Sequence, residues 1–443
     1  MVTLYCPRYT YQNGSFYTDY AVAAENGIIA TVGKREQLSA RYPGAETADW
    51  QRLILLPGTV NAHNHSFQSM LRGLSCDRPF LEWRDNTLYH FSSRFQPEDI
   101  YGAALFAFGE MVKYGVTTVC DFFYLHTYGV ESDEMIIRAA KDVGIRLVLA
   151  RTMYDWQGAP SGYVETVAQA ESRTRALAKA YADDPMVSVV PAPHSLHAAT
   201  PEMILAGHAL AGELGCRYHI HVAEEPFEVE QVQREHNGLT PVEYLDTLGV
   251  VDSSMVLVHG VWLKPEEIDL LGARKANLAY CPSSNMFLAD GVTDLPRMMR
   301  AGVTVGLGSD GACSNNRISV FEEMRMATLL QKAVTHNAAC VHHRDAFQMG
   351  TQNGADLLQL HTGRIEAGYA ADFVGIDAED LSMQPIGEAG EQLLPNIVYS
   401  MQPSAVREVV IGGSAVIHAG QHCTVTEAQL LDTVQRTLRS IGG

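Results

Sequence analysis

The chain has eight cysteines (Cys6, Cys76, Cys120, Cys216, Cys281, Cys313, Cys340 and Cys423), yet no two of them stand as C-x-x-C. Scattered thiols argue against a disulfide framework and against a thiolate zinc site, and read as reduced and mostly buried. No basic stretch followed by an apolar run opens the sequence, so no secretory signal is legible and the cytoplasm is the expected compartment. The longest apolar runs are far too short for a membrane span. Basic residues are in the minority, with 32 Lys and Arg against 51 Asp and Glu and a formal net charge of −19. That field repels phosphate backbones and anionic lipid, which excludes nucleic acid and membrane as expected partners and favours small neutral or cationic substrates. Also missing are H-E-x-x-H, a G-x-S-x-G elbow, a Walker loop, and the H-x-E with P-C-x-x-C of zinc deaminases that act on flipped bases. The absence of internal repeats and low-complexity tracts removes solenoids and linker-joined modules.

The 443 residues, 47% hydrophobic and 19% charged, suit one large α/β barrel with an accessory piece. Residues 1–56 read as short strands and turns, with a turn at Glu25-Asn26-Gly27. From 57 to 362 β-rich runs alternate with amphipathic helical stretches. The strand candidates are 58–62, 117–122, 146–150, 187–191, 218–222, 255–258, 276–280 and 303–307; helical windows include 98–114, 132–143, 163–181, 201–214, 265–271 and 320–333. Eight strands favour a TIM barrel over a doubly wound sheet. From 363 to 443 short strands return, with a terminal helix. The expected fold is therefore α/β, a (β/α)8 TIM barrel over 57–362 that carries the catalysis, with a small β-sandwich domain formed by both chain ends.

Histidine is abundant, at 17 residues. His63-Asn64-His65 closes the first barrel strand, and residues i and i+2 of a strand point to one side. His219-Ile220-His221-Val222-Ala223-Glu224 ends the fifth strand, Val258-His259-Gly260 the sixth and Gly308-Ser309-Asp310-Gly311 the eighth. All are C-terminal strand ends, where barrels build active sites. His63, His65, His221 and Asp310 suit one divalent ion, Zn2+ first and Fe2+ as the alternative, with a coordination position left for water. Glu224, three residues after His221, is placed as general acid/base, and His259 to polarise the attacking water. His219 reads as a core group, and Glu225, Glu228 and Glu230 as a solvated face. His90, His126, His208, His236, His336, His342, His343, His361, His418 and His422 are expected in surface or capping roles. Gly306-Leu307-Gly308-Ser309-Asp310-Gly311 satisfies G-x-G-x-x-G, but it opens no helix, so its glycines are read as close backbone approach to the metal.

On these residues the chain resembles the amidohydrolase superfamily, in the branch of aminohydrolases and chlorohydrolases that holds guanine, 8-oxoguanine, adenosine-derivative and triazine enzymes. The carrying motifs are Pro57-Gly-Thr-Val-Asn-Ala-His63-Asn-His65, Pro193-His194-Ser195, His221-Val-Ala-Glu224, Val258-His259, Cys281-Pro-Ser-Ser-Asn285 and Gly308-Ser-Asp310-Gly-Ala-Cys-Ser314. The resemblance implies one metal on His63, His65, His221 and Asp310, a proton shuttle at Glu224, and water positioned by His259 with Asp310. It places His194 and Ser314 against substrate. No lysine ends the fourth strand, which implies a mononuclear site. A narrower similarity, at His65-Ser-Phe-Gln68, Trp83-Arg84, Phe123-Tyr124 and His194-Ser-Leu, is to N-formimino-L-glutamate deiminases, although the arginine expected after His-Ser-Leu is His197 here.

The expected reaction is hydrolytic deamination of a C–NH2 group on an N-heterocycle (purine, pterin, pyrimidine, triazine or nucleoside), with release of ammonia. The alternatives are an acyclic formimino or guanidino deiminase and a triazine chlorohydrolase. Gln68, Trp83, Arg84, Tyr124, Arg151, His194 and His197 are the candidate pocket wall, and a homodimer is expected from the family resembled.

Overall fold

The structure is a computed structural model that describes residues 1–387 and 390–442. Five strands open the chain: β1 (Val2–Gln12), β2 (Ser15–Tyr17), β3 (Tyr20–Glu25), β4 (Ile28–Lys34) and β5 (Glu46–Pro57). The barrel strands follow: β6 (Thr59–Asn64), β7 (Val116–Phe123), β8 (Arg146–Met153), β9 (Val187–Pro193), β10 (Tyr218–Val222), β11 (Met255–His259), β12 (Asn277–Tyr280) and β13 (Thr304–Leu307). Strands β6, β7 and β8 are buried at every position, as parallel strands covered on both faces must be. Helices start where the sequence supplies caps. Thr200 caps Pro201–Leu214 by accepting from the Met203 amide, and Gly215 ends that helix in the left-handed region.

Ladder pairing runs in parallel through β6-β7-β8-β9 and through β10-β11-β12-β13. Two seams close the circle. At one, the His221 amide donates to the His194 carbonyl at 2.9 Å. At the other, the Asp310 amide donates to the His63 carbonyl at 3.0 Å, and Asn61 exchanges side-chain hydrogen bonds with the Ser309 amide (3.0 Å) and hydroxyl (2.7 Å). Gly308 is required here, because a Cβ would lie 2.8 Å from the His63 Cβ.

After the barrel come β14 (Phe373–Asp377), β15 (Val406–Ile411), β16 (Ser414–His418) and β17 (Gln421–His422). Both chain ends build one mixed sheet in the order β17-β16-β15-β14-β5-β1-β3-β4, with β2 paired to β1. Tyr5 packs edge-on against Trp50 (5.2 Å) and Phe373 (5.1 Å), so the core of the sheet draws on both ends of the chain. A short helix, Arg35–Arg41, joins β4 to β5, and the terminal helix Glu427–Ile441 packs on Pro97–Lys113. Helical turns between Ser66 and Ser92, which no periodicity signalled, follow the first strand. Among the described residues no helix is long and apolar enough to cross a membrane.

Asp372 joins sheet to barrel. Its buried carboxylate takes a fork from Arg146 on β8 (3.0 and 3.1 Å), the Thr362 hydroxyl (2.7 Å) and the Gly412 amide (2.7 Å). Removing one partner of such a pair leaves the other charge buried alone. Asp372→Ala is therefore expected to lower unfolding stability by about 3–5 kcal/mol in urea denaturation, and a loss below about 1 kcal/mol, the range of surface pairs, would contradict this role.

Candidate active site

Strand alternation and the two seams bring the histidines to one point. His63 and His65 leave the end of β6, His221 the end of β10, His259 the end of β11, and Asp310 the loop after β13. The His63 ring lies 4.7 Å from that of His65 and 4.9 Å from that of His221. The Nε2 atoms of His63 and His65 stand 3.5 and 3.2 Å from Asp310 Oδ1. Potential ligand atoms of His63, His65 and Asp310 lie within 4.8 Å of one another, and so do those of His63, His221 and His259. All are buried.

The surrounding hydrogen bonds fix which nitrogen is free. The Nδ1 atoms of His65 and His221 pair with the Phe122 and His194 carbonyls (2.6 and 3.0 Å), so each carries its proton there and turns a bare Nε2 to the centre. Asp310 Oδ2 is held by the hydroxyls of Ser284 and Ser314, which leaves Oδ1 facing the imidazoles. Both nitrogens of His63 are buried without a hydrogen-bond partner, an arrangement a protein tolerates where something else satisfies them. Three imidazoles and a carboxylate, with outer partners fixing His65, His221 and Asp310, fit a zinc or ferrous ion.

Burial drives the His63 imidazole down to about 3 and that of His221 well below its ordinary value; both are thus in the neutral form a metal needs. Burial works to raise Asp310, but the imidazoles of His63 and His65 outweigh it and hold the carboxyl well below the usual range. Glu224 is pushed the other way, by burial first and then by the carboxylates of Asp290 and Glu228. Its Oε1 lies 3.3 Å from His259 Nε2, and His259 Nδ1 is paired with Asn285 Oδ1 at 2.9 Å. His259 and Asp310 both hold positive φ values (69° and 58°), a backbone cost of about 1–3 kcal/mol each, of the kind found at functional sites.

The cavity above this centre spans about 530 Å3 of space between the side chains, part of it open solvent at its mouth. Gln68, Trp83, Arg84, Tyr124, His194 and His197 line it. Gln68 donates to the Tyr124 hydroxyl (3.0 Å) and accepts from the Cys313 thiol (3.1 Å), so the remaining Tyr124 proton is free for a ligand. The Arg84 guanidinium bonds Asp85 through Nε (2.8 Å) and lies over the rings of Tyr89 (5.0 Å) and Trp156 (5.6 Å). Among the described residues it is the one Lys or Arg lining the cavity.

Four placements differ from the sequence reading. Arg151 is no wall residue: it is fully buried and bonded to Asp133 and Glu165, away from the cavity. Ser314 touches Asp310 and the Gly311 carbonyl, which makes it a support for the carboxylate. Glu228 belongs to no solvated face. It is buried, because as the third residue of the helix Pro226–Glu235 it accepts from the Glu225 amide; the capping-box spacing was the available signal. His126 is likewise buried, against Thr152 and Asp133. His219 lies below the centre beside Cys120, a core group as expected. Phe80, Leu88, Tyr89, Tyr154, Tyr163 and Leu288 also line the cavity, from short helical turns and loops in which the sequence reading singled out no wall residue among these six.

The chain matches the model of the amidohydrolase family over residues 54–416. It is 33% identical to a 5-methylthioadenosine/S-adenosylhomocysteine deaminase of Pyrococcus furiosus over 93% of this chain and 94% of that protein. To the enzyme of the same description from Syntrophomonas wolfei it is 35% identical, over 94% of each chain. Among solved structures, a zinc-bound adenosine deaminase from Xanthomonas campestris superposes with a TM-score of 0.92 at 27% identity, covering 99% of this chain and 98% of that one. Atrazine chlorohydrolase from Arthrobacter aurescens, complexed with zinc, gives 0.91 at 21% identity over 98% of this chain and 100% of that one, a likeness of fold.

His221→Ala is expected to lower metal content, read by elemental mass spectrometry after expression with zinc, by about tenfold or more. Glu224→Gln should keep wild-type content, since its carboxylate faces His259; metal loss in both variants alike would contradict these separate roles. A third of the residues shared along almost the whole length, around a centre of this composition, settles the kinship: the chain belongs to the amidohydrolase family.

Proposed function

We propose that this metal-dependent deaminase acts on adenosine carrying a 5′-thio substituent, with S-adenosylhomocysteine preferred over 5-methylthioadenosine, through one zinc ion held by His63, His65, His221 and Asp310. The observation that carries the preference is Arg84, a guanidinium on the cavity wall whose terminal nitrogens make no hydrogen bond among the described residues. A carboxylate on the substrate tail would satisfy them in a fork. The sequence kinship with the two deaminases supports the purine end of the reading.

A bound divalent ion supplies acidification of water and charge stabilisation at the carbon attacked. The chain's own groups do the rest. Glu224, protonated by its buried setting, gives its proton to the ring nitrogen beside the C–NH2 carbon as water adds there. It then moves a proton of the added water to the amino group, and Asp310 takes up the other and passes it back to Glu224, restoring the starting acid, while His259 holds the attacking oxygen in line. One water is consumed; its hydrogens finish on the ring nitrogen and on ammonia. Tyr124, His194 and Gln68 orient the ring against the wall that Trp83 completes.

The same proposal takes residues 57–362 as the catalytic unit between the end segments 1–56 and 363–443. It takes the cytoplasm as the working compartment and a homodimer as the assembly, both from the sequence reading. The acyclic formimino deiminase stays as the second reading, favoured by the Arg84, Gln68 and Tyr124 constellation alone.

Ammonia release across S-adenosylhomocysteine, methylthioadenosine, adenosine, guanine, N-formimino-L-glutamate and a chlorotriazine tests the assignment. Arg84→Met is expected to raise KM for S-adenosylhomocysteine by about tenfold, worth ~1.4 kcal/mol, and to leave methylthioadenosine within about threefold, the half-kilocalorie scatter of neutral contacts. Turnover confined to the formimino acid would overturn the purine reading, and equal losses on both thioadenosines would overturn the role of Arg84.

A further inference from the structure

A buried charge cluster lies outside the candidate metal centre and the mechanism does not use it. Arg151, on β8, is fully buried. Its Nε donates to Asp133 Oδ2 (2.8 Å) and its two terminal nitrogens fork onto Glu165 (2.8 and 2.9 Å). Glu165 also accepts from Arg173 at 2.6 Å. His126 completes the group, 3.5 Å from Asp133, with burial first and the Arg151 charge second keeping it neutral. Two guanidinium groups thus face two carboxylates, and no net charge is left over.

Burying the three charges of Arg151, Asp133 and Glu165, with Arg173 half-buried beside them, is a costly way to stabilise a fold, since apolar side chains of similar volume do as well or better. The cluster instead has a geometric product. Glu165 ends a loop that begins at Tyr154, and its amide donates to the Tyr154 carbonyl at 2.8 Å, pinching the loop shut. His126 holds the same loop from the other side, its amide donating to the Gly162 carbonyl (2.7 Å) while its Nε2 meets the Thr152 carbonyl (3.0 Å). Two residues of this loop, Tyr154 and Tyr163, are cavity wall. Tyr154 lies 4.8 Å from the His194 ring, and Tyr163 lies 4.9 Å from that of Tyr124. Their hydroxyls reach across to the helical turns after β6, Tyr154 to Tyr89 (3.0 Å) and Tyr163 to Ser92 (2.6 Å).

We propose that Arg151 and Glu165 are positioning residues for substrate binding: their forked ion pair fixes the 154–165 loop so that Tyr154 and Tyr163 form one wall of the pocket and clasp the segment that forms the other. This rests on the reading of the cavity as the substrate site. The metal centre lies on other strands, so a change in the cluster reaches binding and leaves the chemical step alone.

Arg151→Met would strand two buried carboxylates and risks unfolding, so the test uses Glu165→Gln and Arg151→Lys. The first keeps shape without charge, and the second keeps charge without a fork. In the metal-loaded protein each is expected to raise KM by about tenfold, ~1.4 kcal/mol, with kcat within about threefold and metal content unchanged. If the effect passes through the wall, Glu165→Gln placed on Tyr163→Ala should add less than about twofold, because coupled residues are not additive. Unchanged KM with a lowered melting temperature would show a structural staple only and overturn the proposal, as would full additivity with Tyr163→Ala. Absence of turnover by the unmodified protein on every substrate tried would instead overturn the reading of the cavity itself.

Discussion

Two hydrogen bonds, from the Asp310 amide to the His63 carbonyl and from the His221 amide to the His194 carbonyl, close a barrel whose ladders otherwise stop at β9 and β13. Three of the four residues that make them, His63, His221 and Asp310, also bear side chains of the candidate metal centre. Backbone closure and ligand placement are therefore one event. If either seam opened, Asp310 would separate from His63, or His221 from the carbonyl that sets its tautomer. This explains why Gly308 has no room for a side chain and why Asp310 accepts a left-handed backbone. The chain must turn sharply at the seam to aim its carboxylate inward.

The remaining architecture serves that closure. The sheet built from both chain ends runs through β5 and Pro57-Gly58 directly into β6, so the first ligand strand is anchored before the barrel begins. Asp372 ties the returning chain to β8 through Arg146. Around the mouth, loops without regular periodicity supply an aromatic cavity, and buried hydrogen bonds and ion pairs hold them in place. A polar centre buried this deeply is preorganised: its donors and acceptors are oriented before a substrate arrives, which is where electrostatic catalysis draws its advantage.

The barrel and the centre were legible in the sequence for a definite reason. Parallel strands leave short apolar runs, and the rule that strand ends carry the chemistry turns His63, His65, His221, His259 and Asp310 into one constellation. Parity along a strand was less informative. Arg151 lies near the end of β8, yet its side chain meets Asp133 on the helix Val130–Val143, in the layer outside the strands. Ser314 failed as a substrate contact for a similar reason, since one residue's direction in a tight loop depends on the turn. Tyr154 sits in a loop and Tyr89 in short helical turns where no period exists to read, Tyr163 lies in a turn just before the helix Val167–Ala180 that the sequence window starts too early, and Glu228 was hidden by an acidic run that resembles a solvated face.

The claim that closure and ligand placement are one event makes a direct demand on backbone protection. Hydrogen exchange at the His221 and Asp310 amides, followed by mass spectrometry with and without bound zinc, should show both amides strongly protected in the loaded protein and faster together on chelation, while the ladder amides within β7 and β8 are unchanged. Equal exchange at the two seam amides with and without metal would contradict the account.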